Sequence, residues 1–249
     1  MTEMREAVRD RYASKAKTLS AGSCDDDCCA TAEETISCGL EYEAGELAQL
    51  GLDSSVSLGC GNPLLLADLR PGERVLDLGS GGGLDVLLSA RRVAPDGHAF
   101  GVDMTDEMLE LARANQARAG VENATFLKGT IEQVPLPDGA VDVVISNCVI
   151  NLAEDKRAVL REAFRVLRPG GRLAVSDMVE LKALPASVKN AVDAWAGCIS
   201  GTIPVAAYRQ ALLEAGFADA DIEVTQEHEA EGVAGAIGSA AIRARKPGG

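Results

Sequence analysis

Between positions 74 and 86 the chain reads Arg-Val-Leu-Asp-Leu-Gly-Ser-Gly-Gly-Gly-Leu-Asp-Val. A short apolar run holding one aspartate, Asp77, meets four glycines within five positions, and an apolar-periodic segment follows. A strand buried on both faces reads as such an apolar run. Glycines at its end let the backbone turn tightly and come close to a ligand. The helix that follows directs unsatisfied N–H groups at that point. Few local patterns restrict a fold more: this one calls for an α/β sheet with a nucleotide-type cofactor at its carboxyl edge.

The rest of the chain supplies such a sheet. Strands are expected at Arg74–Leu78, His98–Asp103, Ala124–Lys128, Val141–Ser146 and Gly171–Asp177, with helices at Leu84–Arg92, Asp106–Arg118 and Asp155–Leu167 between them. Strict alternation of strand and helix gives a parallel, doubly wound sheet. Thr105 is placed to cap the second of these helices, and Pro169-Gly170-Gly171 to end the third. Further helices near Ser187–Trp195 and Pro204–Ala215, and strands near Ile222–Gln226 and Ser239–Arg245, bring the sheet to seven strands. Ahead of the core, residues 1–18 form an amphipathic helix. A polar loop with Cys24, Cys28 and Cys29 follows, and a short helix falls near Glu43–Leu50.

Composition removes several classes of function. A net charge of −14 argues against a nucleic-acid partner, whose phosphates demand a basic face. No apolar run reaches the roughly 18–20 residues of a membrane span, and the N-terminus lacks the apolar core of a signal peptide. The cytoplasm is the expected location, and nothing demands more than a monomer. Seven cysteines, an odd number with no export signal, do not read as a structural disulfide framework.

The spacing Gly79-x-Gly81-x-Gly83 lacks the wider G-x-G-x-x-G/A pattern of dinucleotide sites, which disfavours nicotinamide or flavin. Asp103 closes the second strand, where a carboxylate can accept both hydroxyls of a ribose. Together with Leu167-Arg-Pro-Gly-Gly-Arg-Leu173 before the fifth strand, these features resemble the class I S-adenosylmethionine-dependent methyltransferases over residues 71–178. The resemblance implies that Asp77, Gly79, Ser80, Gly81 and Gly83 face the methionine part of the cofactor. By the same token Asp103 binds the ribose and Met104 packs on the adenine. Thr130 and Ile131 lie along the adenine edge, Thr130 standing where many members have an acid, and Asn147 lies near the methionine end.

The acceptor is signalled by the cysteines. His98 and His228 read as ordinary solvated or satisfied histidines. Cys148 directly follows the fourth strand, Cys60 sits in Gly59-Cys60-Gly61-Asn62-Pro63, and Cys198 sits in Gly197-Cys198-Ile199-Ser200-Gly201. One free cysteine is usually a small buried hydrophobe. Three in small-residue turns, with a Cys28-Cys29 pair besides, fit no paired zinc motif and suggest working thiols.

The combination of these three turns with the class I core resembles the arsenite methyltransferases from about residue 5 to 245. The resemblance implies methyl transfer from S-adenosylmethionine to trivalent arsenic, as arsenite or its methylated forms, for arsenic detoxification. It implies that Cys148 and Cys198 are persistent arsenic ligands. Cys60 and one of Cys28 or Cys29 would then supply the third thiolate and the disulfide exchange that returns arsenic to the trivalent state. That exchange needs a thiol reductant of the thioredoxin or glutathione type. Three regions follow: an N-terminal helix, cysteine loop and lid-like extension (1–68), an S-adenosylmethionine-binding core (69–180), and a C-terminal arsenic-binding region with the last strands (181–249). Two other readings compete. A quinone- or sterol-type C- or O-methyltransferase explains the core but leaves the cysteines to chance. A thiol-based metalloid-binding or redox protein on a non-catalytic core explains the cysteines but not the cofactor loop.

Overall fold

The computed structural model describes residues 3–20, 44–52, 61–185, 201–228 and 235–249. Seven strands form one sheet: β1 (Arg74–Leu78), β2 (His98–Asp103), β3 (Ala124–Lys128), β4 (Val141–Asn147), β5 (Leu167–Glu180), β6 (Ala218–His228) and β7 (Ile237–Arg245). Their order is β3-β2-β1-β4-β5-β7-β6. The first five strands run parallel, and β7 lies antiparallel between β5 and β6. Helices α1 (Glu3–Ser20), α2 (Ala44–Leu50), α3 (Pro63–Ala67), α4 (Leu84–Val93), α5 (Asp106–Ala119), α6 (Lys156–Val166) and α7 (Val205–Ala215), with a 3-10 turn at Ile150–Leu152, complete the described elements. The doubly wound, mostly parallel seven-stranded sheet expected from the sequence is thus present.

Alternate residues of a strand face opposite sides of the sheet, and two cores result. Leu76, Leu78, Val144 and Val175 pack against α6 and α7 through Leu160, Ala163, Tyr208 and Leu212. Val75, Val143, Ile145 and Ala174 face α2 to α5 through Leu50, Leu64, Leu87 and Leu109. Asp77 alternates with Leu76 and Leu78, so it belongs to the α4 side.

Several boundaries differ from expectation for local reasons. Thr105 is the N-cap of α5, but its side chain makes no capping bond. Its backbone N–H instead donates to Asp103 at 2.8 Å. α6 already ends at Val166, and Pro169-Gly170-Gly171 lies inside β5, where the pairing with β4 shifts register between Val141 and Val143. The glycines therefore serve a strand irregularity rather than a helix end. α3 was not anticipated, although its start is legible: Asn62 caps it by accepting the Leu64 N–H at 3.0 Å, and Pro63 is its first residue. The helix expected near Ser187–Trp195 lies outside the described residues.

Candidate active site

In an open parallel sheet the ligand crevice forms where neighbouring strands lead off in opposite directions. Here β1 lies between β2 and β4, with Leu78 beside Ser146. The glycine loop leaving β1 and the Asn147-Cys148 turn leaving β4 therefore emerge side by side. Their contact is close: a Cβ on Gly79, whose φ is +73°, would overlap the Val149 side chain. The loop is also tied to β2, since the N–H groups of Gly79 and Ser80 donate to Val102 O at 2.8 and 3.0 Å.

A cavity opens at this edge. Asp77, Gly79, Ser80 and Gly81 line it from the loop, Asp103 and Met104 from the end of β2, Thr130 and Ile131 from beyond β3, and Asn147 from β4. Gly83 is the exception among the expected cofactor residues. It does not line the cavity; it sits at the N-cap of α4 with φ +86°, where a Cβ would lie 2.7 Å from the Phe126 ring. Its missing side chain lets helix and sheet pack closely. Sequence reasoning missed Asp85, Glu132, Val149 and Leu152, which also line the cavity. For Asp85 a signal existed, an acid in the first turn of the helix after the glycines.

The cavity is built for a cation. Asp77 is fully buried, and burial first, then the Asp85 and Asp103 charges, hold its pKa well above the usual carboxylate range. Its Oδ1 has no hydrogen-bond partner among the described residues. Such a group calls for a positively charged partner from a ligand. Asp103 is raised by burial too, while the backbone N–H groups of Thr105 and Gly81, the latter donating at 3.0 Å, pull in the opposite direction. A carboxylate with about four acceptor positions retains capacity for a diol. An ammonium or sulfonium opposite Asp77 and a ribose at Asp103 fit these residues, which is the pattern of S-adenosylmethionine. α1 walls the cavity with Arg5, Val8 and Tyr12, and Arg5 is held to Glu132 at 2.7 Å.

Cys148 lies between two residues that line this cavity, Asn147 and Val149. It has φ +58°, an uncommon backbone for a residue with a side chain, and such strain collects at functional sites. Its N–H donates to Ser176 O at 2.8 Å, and its side chain is buried and engaged in a disulfide. Cys28, Cys29, Cys60 and Cys198 lie outside the described residues, but the residues that flank two of them are fixed. The Gly61 carbonyl accepts a hydrogen bond from Asn147 Nδ2 at 2.6 Å, and Gly61 packs on Ser176 so closely that a Cβ would overlap it. Gly201 packs on the carbonyl of Asn151 in the same way. The histidines are satisfied elsewhere: His228 shares a 2.8 Å hydrogen bond with Ser239, and His98 one of 2.9 Å with Thr125.

Fold and cavity together define a methyltransferase, and the methyltransferase domain family matches residues 69–231. More narrowly, the chain belongs to the arsenite methyltransferase family. It is 43% identical to an arsenite methyltransferase of Halobacterium salinarum over 98% of this chain and 67% of that protein. To the mouse arsenite methyltransferase it is 35% identical over 73% of this chain and 52% of that one. The crystal structure of an arsenic(III) S-adenosylmethionine methyltransferase from Chlamydomonas reinhardtii superposes with a TM-score of 0.69. The identity there is 36%, covering 83% of this chain and 74% of that one. The chain thus spans between about half and two thirds of these curated relatives.

Proposed function

We propose that this chain transfers methyl groups from S-adenosylmethionine to trivalent arsenic, arsenite or its methylated forms, held by cysteine thiolates, in arsenic detoxification. One observation supports this above the others: the unpartnered buried acid Asp77 and the strained Cys148 turn open on the same sheet edge, with the Gly61 and Gly201 segments converging there.

Bound S-adenosylmethionine supplies an electrophilic methyl group carried on a sulfonium. Asp77, Asp85 and Asp103 would balance the cofactor's positive charge, and Asp103 would orient its ribose. Thiolates of Cys148 and Cys198, with a third from Cys60 or from Cys28 or Cys29, would hold arsenic and leave its lone pair free as nucleophile. Thiolates suit soft ions of this kind, and a lone-pair nucleophile needs no general base. The protein's contribution is then positional, since holding nucleophile and methyl group in line at about 3–3.5 Å removes much of the barrier. Each methylation oxidises arsenic by two electrons. Formation of one disulfide returns them, and a thioredoxin- or glutathione-type thiol resets the cysteines. The disulfide at Cys148 supports a part for this thiol in such chemistry. No helix among the described residues is long and apolar enough to cross a membrane; we place the enzyme in the cytoplasm, as a monomer. Residues 1–68 would act as lid and cysteine carrier, 69–180 as the cofactor core and 181–249 as the arsenic-binding region.

Purified protein incubated with arsenite, a thiol and methyl-labelled S-adenosylmethionine should release labelled methylarsenicals. Absence of labelled arsenic from active-folded wild type, with cofactor bound, overturns the proposal.

A further inference from the structure

Asn151 stands three residues after Cys148, inside the 3-10 turn Ile150–Leu152, and is fully buried. Its amide nitrogen donates to Asp177 Oδ1 at 2.7 Å and to Met178 O at 2.6 Å, both on β5. Asp177 Oδ1 also accepts the Met178 N–H at 2.9 Å, which fixes the carboxylate that receives Asn151. On its other side, the Asn151 carbonyl accepts from buried Lys156 Nζ at 3.2 Å, and Lys156 also reaches Ala153 O at 3.0 Å. That same carbonyl is the atom against which Gly201 packs, with no room for a side chain.

Polar groups this deep are directional: they fix one arrangement of the elements that carry them, where an apolar contact would tolerate several. Neither Asn151 nor Asp177 lines the cofactor cavity, although Val149 and Leu152 beside Asn151 do, so the cluster acts through the placement of the turn. What it joins is β5, the turn that begins at Cys148, and Gly201.

We infer that Asn151, seated on Asp177, is a positioning residue for the acceptor: its side chain holds the Cys148 turn on β5, and Gly201 packs against its carbonyl on the other side. The inference rests on the thiolate-bound acceptor described above. Asn151 does not itself line the cofactor cavity; it sets where the Cys148 turn stands on β5.

The test uses the full chain, with arsenite alone as binding probe and S-adenosylhomocysteine as the probe of the donor site. Asn151→Asp sets a carboxylate against Asp177 and should weaken arsenite binding about tenfold or more. It should raise the KM for arsenite more than it lowers kcat, with S-adenosylhomocysteine affinity changed less than arsenite affinity. Asn151→Asp combined with Asp177→Asn removes the clash of two carboxylates, though not the one with the Met178 carbonyl, and should recover part of the arsenite affinity. Gly201→Ala, which leaves both polar partners in place, should weaken arsenite binding in the same direction. Wild-type arsenite affinity in Asn151→Asp and Gly201→Ala would overturn the inference. So would parallel loss of both probes, or no recovery in the double variant. Wild type that binds no arsenite would remove the acceptor reading and this inference with it; wild type that binds, with indifferent variants, removes the inference alone.

Discussion

The two halves of the sheet edge are specified in different ways. On the donor side, geometry is settled within a few residues of chain. Gly79 turns because its φ is +73°, Asp77 precedes it on the same strand, and Asp103 is fixed by the N–H groups of Gly81 and Thr105. On the acceptor side nothing is local. Gly61, Cys148, Ser176 and Gly201 come from four separated stretches and meet only because β4 lies between β1 and β5. A chain can therefore announce its methyl donor in a dozen residues, whereas its acceptor is readable only once the sheet order is known.

If the halves are separable, variants should damage one and spare the other. The largest effect is expected on the acceptor side. Cys148→Ser should lower arsenic methylation about a hundredfold or more, the scale of misplacing a reacting atom, while cofactor affinity stays at the wild-type value. Equal loss of both would break the distinction.

On the donor side, Asp77→Asn should weaken S-adenosylmethionine binding about tenfold to a hundredfold, the range for a buried charge-assisted bond, without altering arsenite binding. The sign with pH also follows. Burial, Asp85 and Asp103 raise the Asp77 pKa in the free protein, and a cation favours the ionised form. Cofactor affinity of wild type should fall as pH drops through that raised pKa, and calorimetry on Asp77→Asn should show a flatter profile.

The smallest effect concerns Asp177, behind the acceptor turn. Burial pushes its pKa up to about 7, against opposing contributions from the Met178 N–H, Lys156 and Asn151. The folded protein thus keeps this proton longer than the unfolded chain does. The group's contribution to stability falls as pH rises from about 4 to about 7 and stays low above that. Asp177→Asn carries no charge to bury, so thermal unfolding should show it gaining on wild type between pH 5 and pH 8. A difference independent of pH would refute this account of the cluster.

The same contrast explains what could be read in advance. β1, β2 and β3 were expected within their observed bounds because apolar runs and turn residues mark them directly. β5 proved longer than expected because its start carries Arg168-Pro169-Gly170-Gly171, which looks like a terminator yet sits in a strand whose pairing with β4 is irregular. Gly83 looked like a ligand residue because it belongs to the glycine motif, and only its distance from Phe126 reveals a packing role. Asn151 gave no signal at all: its importance depends on Asp177 and Gly201, 26 and 50 residues further along the chain. Of the cysteines singled out by their turns, Cys148 alone falls among the described residues, and its positive φ is a property of the fold that no local motif announces.

The central claim is that arsenic is held by thiolates at the Cys148 turn, beside the donor cavity. X-ray absorption at the arsenic edge, recorded on reduced protein with one equivalent of arsenite, tests it most directly. The account predicts coordination by three sulfurs in wild type, with one sulfur lost in Cys148→Ser. An all-oxygen environment in wild type, or three sulfurs unchanged in Cys148→Ser, would contradict it.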